Sequence, residues 1–121
     1  MDIANFQVVA TDWAVNCLGG DTVKDETERN YRFIEEAIEL VQSLNCTKED
    51  VLRIVDHVYS RPLGEPKQEV GGVMVTLAVL CSTNEISLKE ASRVELLRID
   101  KLSDMIRENH NKKLIRSMGK S

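Results

Sequence analysis

Lys67-Gln68-Glu69-Val70-Gly71-Gly72-Val73-Met74-Val75-Thr76-Leu77-Ala78-Val79-Leu80-Cys81 is the stretch that decides the fold. Valine is frequent in it, so a buried strand is one reading. Its length and the proline just before it, Pro66, favour a helix, since proline is accepted in a helix's first turn. The stretch is apolar almost all round, which predicts a central, buried helix. The only two prolines, Pro62 and Pro66, frame Leu63-Gly64-Glu65 as a loop.

The pattern on either side is helical. Ile3, Phe6, Val9, Ala10, Trp13, Ala14 and Cys17 recur at three- and four-residue steps and predict a helix over 3–18. Gly19-Gly20 should stop it. Tyr31, Ile34, Ala37, Ile38, Val41 and Leu44 form the stripe of a second helix over about 26–44. Thr47 with Asp50 resembles a capping box opening a third helix, which must end before Pro62. Ser87 with Glu90 is a full capping box and opens a last helix that should run to about Glu108. The tail 109–121 carries Lys112, Lys113, Arg116 and Lys120 and reads as a frayed end or a docking arm. No internal repeat or low-complexity segment is visible. Nothing alternates with period two for long, so the expectation is one all-α domain over 1–121, a helical bundle of about five helices.

Composition narrows the function classes. The 121 residues hold 20 acids against 16 bases, a formal net charge of -4. That is one domain's length, apolar enough to bury a core. The acid excess argues against a nucleic-acid partner, which needs a basic footprint. Acidic phosphate substrates stay open, because metal ions can sit between two sets of negative groups. Cys17, Cys46 and Cys81 are widely spaced and form no CxxC pair, so reduced thiols are expected. No basic-then-apolar leader opens the sequence. The run Val73 to Cys81 is far below the ~20 residues that cross a bilayer. A cytoplasmic chain with no membrane partner is expected.

Three places could carry chemistry. Glu35-Glu36-Ala37-Ile38-Glu39 sets Glu36 and Glu39 on one helix face, and also Glu35 and Glu39. Such crowded carboxylates repel unless a cation joins them, and a hard cation such as Mg²⁺ takes oxygen ligands. The bland alternative is a solvated acidic face offset by Arg29 and Arg32. Glu69 is the only charge between Gln68 and Asn84; a first-turn acid is also simply favoured by the helix dipole. Beside it, Gly71-Gly72 costs roughly 1 kcal/mol per glycine in a helix, easier to explain if a helix or ligand approaches the backbone closely. In the last helix, Leu88, Ala91, Val94, Ile99, Leu102, Met105 and Ile106 define an apolar face. Glu95 and Arg98 fall within it by angle. A buried carboxylate must be paired or coordinated, so Glu95 is either half of a Glu95–Arg98 pair or a functional group. Asp56 is a weaker case of the same kind. His57 and His110 belong to no zinc or hydrolase motif. Trp13 is core by default, or a stacking face for a base.

Taken in order, these residues resemble the MazG-like all-α nucleoside triphosphate pyrophosphohydrolases, which carry an ExxE motif on one helix and ExxD on a later one. Glu36-Ala37-Ile38-Glu39 matches ExxE. Glu69-Val70-Gly71-Gly72 matches ExxD except that Gly72 stands for the aspartate. The stretches Arg29-Asn30-Tyr31-Arg32-Phe33-Ile34-Glu35-Glu36 and Arg61-Pro62-Leu63-Gly64-Glu65-Pro66 through Leu80 are similar to a branch that shows this Gly-Gly form. The similarity spans about Glu28 to Lys101. It implies Mg²⁺-dependent hydrolysis of an NTP or dNTP between the α and β phosphates, giving a monophosphate and pyrophosphate, with Mn²⁺ as an alternative metal. Glu36, Glu39 and Glu69 would be metal ligands, and Glu35 would orient or deprotonate the attacking water. Glu95, then Asp56, are the substitutes for the missing aspartate. Arg98, Lys101 and Arg32 would meet the polyphosphate and Trp13 the base. A homodimer or homotetramer is implied too; the apolar character of the 67–81 helix independently suggests partners. The rival reading is a non-catalytic helical interaction module derived from such an enzyme.

Charge is unevenly spread. Residues 1–66 hold 13 acids and 6 bases, and the remainder 7 acids and 10 bases. An acidic half suited to metal thus precedes a mildly basic half suited to phosphate.

Overall fold

The computed structural model describes residues 2–102. Every regular element among them is a helix. These are α1 (Ile3–Leu18), α2 (Gly20–Lys24), α3 (Glu26–Ser43), α4 (Lys48–Tyr59), α5 (Pro66–Thr83) and α6, described over Leu88–Leu102. The expected continuation of α6 to Glu108 and the basic tail lie outside the described residues. The contested valine-rich stretch is helix throughout, starting at Pro66 as the proline requires.

Local chemistry sets the helix ends. Asp2 Oδ1 accepts the Asn5 N–H (2.8 Å) before α1, and Asp25 Oδ1 accepts the Glu28 N–H (3.2 Å) before α3. Thr47 and Asp50 form a complete capping box, each side chain taking the other's backbone N–H. Gly19, at φ 86°, breaks α1 from α2 by itself, since a left-handed residue cannot continue the helix. Gly20 already begins α2, so the expected double-glycine stop is a single-residue break, and the helix count among the described residues rises to six.

Spatial proximity divides the chain into two compact units. One comprises 18–71, the other 2–17 with 72–102 among the described residues. The boundary falls inside α5, between Gly71 and Gly72. In the first unit α3 and α4 leave most of their apolar side chains open: Ile34 is 50% exposed, Ile38 42% and Val55 43%. In the second, α5 is not the buried helix that its composition predicts. Val75 is 65% exposed and Val79 60%, and only Cys81 is buried among the described residues. Uniform hydrophobicity identifies a helix that seeks cover on all sides; it does not supply the neighbours.

The α3–α4 and α5–α6 turns share one design, 40 residues apart. Asn45 and Glu85 both take positive φ, 69° and 56°. The Cys46 N–H donates to the Val41 carbonyl (3.0 Å) as Ile86 does to Cys81 (2.8 Å), the six-to-one bond of a Schellman turn. Thr47 and Ser87 then cap the next helix through the N–H groups of Asp50 and Glu90, both at 3.1 Å. Arg53 pairs with Asp50, and Arg93 with Glu90. Upstream, Asp25 and Glu65 cap α3 and α5 through Glu28 and Gln68. Both those helices have 18 residues. The likeness is confined to caps and turns: over 26–62 against 66–102 only Leu40/Leu80 and Arg53/Arg93 are identical, so the sequence carries no internal repeat, as expected.

Candidate functional site: the acidic face of α3 and its neighbours

Glu35, Glu36 and Glu39 sit in the middle of α3, and all three are exposed. Arg32 Nε donates to Glu28 (2.8 Å) and its Nη1 to Glu35 (3.3 Å), which stabilises the guanidinium's charge and holds its pKa above the ordinary value. Arg29 reaches Glu28 at 3.9 Å. The basic residues expected to offset the acidic face thus engage Glu28 and Glu35. Glu36 and Glu39 form no ion pair among the described residues.

Glu69 opens α5 on the same unit. It is exposed, and it is not the cap: Glu65 does that work, accepting the Lys67 N–H through Oε1 (3.0 Å) and the Gln68 N–H through Oε2 (2.8 Å). The Glu69 carboxylate instead folds over the loop, where a Cβ built on Gly64 would collide with it. Gly64 is the position where the lack of a side chain makes room for this acid. Gly71 and Gly72 differ. A Cβ at either meets nothing within 4 Å, so no other part of the described chain approaches these glycines closely.

Asp56 lies on the exposed side of α4 in the same unit. A shallow hollow of about 500 Å³ lies along this helix, lined by Cys46, Asp50, Arg53, Ile54 and His57. A second, of about 390 Å³, is framed by Ile38, Gln42, Cys46, Lys48, Val51 and Leu52. Sequence reasoning did not single out either hollow. Their lining mixes one to three residues from α3 or the turn with a stripe of α4, and no motif marks such a set.

The remaining candidates belong to the other unit. Trp13 is partly buried on α1, aligned with Phe6 and Ala10. Glu95 and Arg98 are a paired couple, with Nε to Oε2 at 2.9 Å and Nη2 to Oε1 at 2.5 Å. The guanidinium's hydrogen bond holds the Glu95 carboxyl below the ordinary range. Their side chains are 55% and 60% exposed, which corrects the expectation of a buried carboxylate. The face that α6 buries best runs through Leu88, Ser92, Leu96 and Ile99, one step around the helix from the stripe inferred by angle, so Glu95 stands beside it. Met105 and Ile106, expected on that stripe, lie outside the described residues. Lys101 is exposed.

The oxygen donors of Glu36, Glu39 and Glu69 are of the type a hard cation takes. Among the described residues, however, no three His, Cys, Asp or Glu side chains come together in a way that could hold a metal ion. Cys17, Cys46 and Cys81 form no disulfide. No single described helix is long and apolar enough to cross a membrane. Set against known protein families, curated proteins and solved structures, the chain matches none.

Proposed function

We propose that the chain is a Mg²⁺-dependent nucleotide pyrophosphohydrolase of the MazG-like kind, cleaving an NTP or dNTP to a monophosphate and pyrophosphate. The observation that carries this reading is the division of labour on the acidic unit. Arg32 satisfies Glu28 and Glu35, whereas Glu36 and Glu39, one helical turn apart, have no cation among the described residues. Glu69 adds to it, relieved of capping by Glu65. Acids that neither cap nor pair keep their oxygens for another cation. In this reading Glu36, Glu39 and Glu69 are metal ligands and Glu35 handles the water's proton. Mg²⁺ or Mn²⁺ would be the cofactor, the chain would be cytoplasmic, and it would work as a homodimer or homotetramer.

The exposed stripes of α3 and α4 support the oligomer, because apolar area of this kind is stabilised by cover. The same exposure favours the second reading, a non-catalytic helical interaction module. One experiment separates them: pyrophosphate release from a panel of NTPs and dNTPs, with and without Mg²⁺ or Mn²⁺. Metal-dependent turnover on any member supports the enzyme. No turnover on all of them rejects it, and calorimetry showing no metal-dependent nucleotide binding then assigns the module.

A further inference from the structure

Resting on the pyrophosphohydrolase reading above, we propose that the loop 60–65, with Tyr59 at its root, is the element that recognises the nucleotide. Arg61 takes polyphosphate oxygens and the Tyr59 ring takes the base. Among the described residues, Leu63 and Tyr59 are the two most exposed large apolar side chains, at 100% and 85%. They flank Arg61, which is exposed too. Arg29, Arg32 and Arg53, the other arginines of 18–71, each have a carboxylate partner; Arg61 has none among the described residues. One short segment thus offers an aromatic ring and a guanidinium whose donors are unspent. A guanidinium fork suits two phosphate oxygens, and a tyrosine face suits a base.

The segment is held in shape at both ends. The Ser60 hydroxyl donates to the His57 carbonyl (2.7 Å) and the Arg61 N–H to the Val58 carbonyl (3.2 Å), which ties it to α4. At the other end Glu65 caps α5. Pro62 and Pro66 fix their own φ and bias Arg61 and Glu65 toward extended backbone. A loop ordered beforehand loses less entropy when it grips a ligand. Its place is also set, because the Glu69 carboxylate lies over Gly64 of this same loop. Arg61 is three residues from Gly64, a span of at most about 11 Å. The arginine side chain and a triphosphate can bridge that span to a metal held at Glu69.

The test is calorimetric titration of the full chain, in Mg²⁺, with two probes: inorganic tripolyphosphate and the α,β-methylene analogues of the NTPs and dNTPs. R61Q should weaken both probes at least about ten-fold, and R61K, which keeps the charge without the fork, should recover part of the loss. Y59L should leave tripolyphosphate unchanged and weaken the nucleotide analogue about five-fold or more, while Y59F binds as the parent does. All four variants should bind Mg²⁺ alone like the parent, because the acids are untouched. R61Q holding tripolyphosphate as tightly as a parent that binds it, or Y59L holding the analogue as tightly, overturns the proposal alone. So does Y59L weakening both probes equally. A parent chain that binds neither probe in Mg²⁺ overturns it together with the pyrophosphohydrolase reading.

Discussion

Asn45 and Glu85 share one backbone conformation 40 residues apart, and only one of them suits it. Both sit at the first residue beyond a helix C-cap with φ of 69° and 56°. Asparagine tolerates the left-handed region because its short amide bonds locally, whereas a residue with an ordinary side chain loses roughly 1–2 kcal/mol there. Glu85→Gly should accordingly raise stability by about 1 kcal/mol, and Asn45→Ala should lower it by a similar amount. Urea unfolding reads both as shifts of midpoint at constant slope.

The two capping hydroxyls should be worth the same. Thr47→Ala and Ser87→Ala should each cost about 1 kcal/mol, since each leaves an N-terminal N–H without its acceptor. A cost confined to one of them in thermal melts would break the equivalence of the two turns.

Acid should weaken these same ends. Hydrogen bonds from Thr47, and then the Arg53 charge, hold the Asp50 carboxyl below its ordinary value; Arg93 does so for Glu90 and Arg98 for Glu95. A depressed folded pKa contributes stability above the unfolded value, near about 4, and loses it as pH falls through the folded one. Denaturation midpoints should therefore hold steady from neutral pH down to about 4 and drop below it. In Asp50→Asn part of that drop should vanish, because the group no longer titrates.

Glu39→Gln and Glu95→Gln should part company. Glu39 has no cationic partner among the described residues, so its neutralisation should leave circular dichroism unchanged and, on the proposed function, abolish Mg²⁺ binding by calorimetry. Glu95 belongs to an exposed pair, and such pairs contribute at most about 1 kcal/mol. Glu95→Gln should therefore cost no more than that and leave Mg²⁺ binding unchanged.

Gly64→Ala probes Glu69 from outside. The new methyl would occupy the place of the Glu69 carboxylate, which can swing away on its flexible side chain. Stability should change by less than about 0.5 kcal/mol, as for a typical surface substitution, while Mg²⁺ affinity falls. Unchanged affinity would mean that Glu69 works in another orientation or is no ligand.

The legibility of the sequence follows from where each signal resides. The span of α1, the start of α5 at Pro66 and the Thr47–Asp50 box were readable because each is fixed by residues within one turn of one another. The likeness of the two turns was hidden because what they share is acceptor geometry, which aspartate and glutamate at 25 and 65, or threonine and serine at 47 and 87, deliver equally. The Glu95 error has a similar root. A stripe inferred at 100° per residue drifts when Ser92 takes an inward place between Leu88 and Leu96, so a nearby charge is wrongly assigned to the interior. The engagement of Arg32 with Glu35, by contrast, follows from spacing alone.

Caps written within four residues also govern how the chain acquires its shape. Each helix of the α3–α4 and α5–α6 pairs carries its own start signal and depends on no distant strand or sheet edge for its hydrogen bonds. Such segments gain helicity in about a microsecond, far ahead of any slower docking of their faces. Far-ultraviolet ellipticity should consequently outlast the near-ultraviolet signal of Trp13 as urea rises, leaving a helical chain whose apolar stripes bind hydrophobic dye.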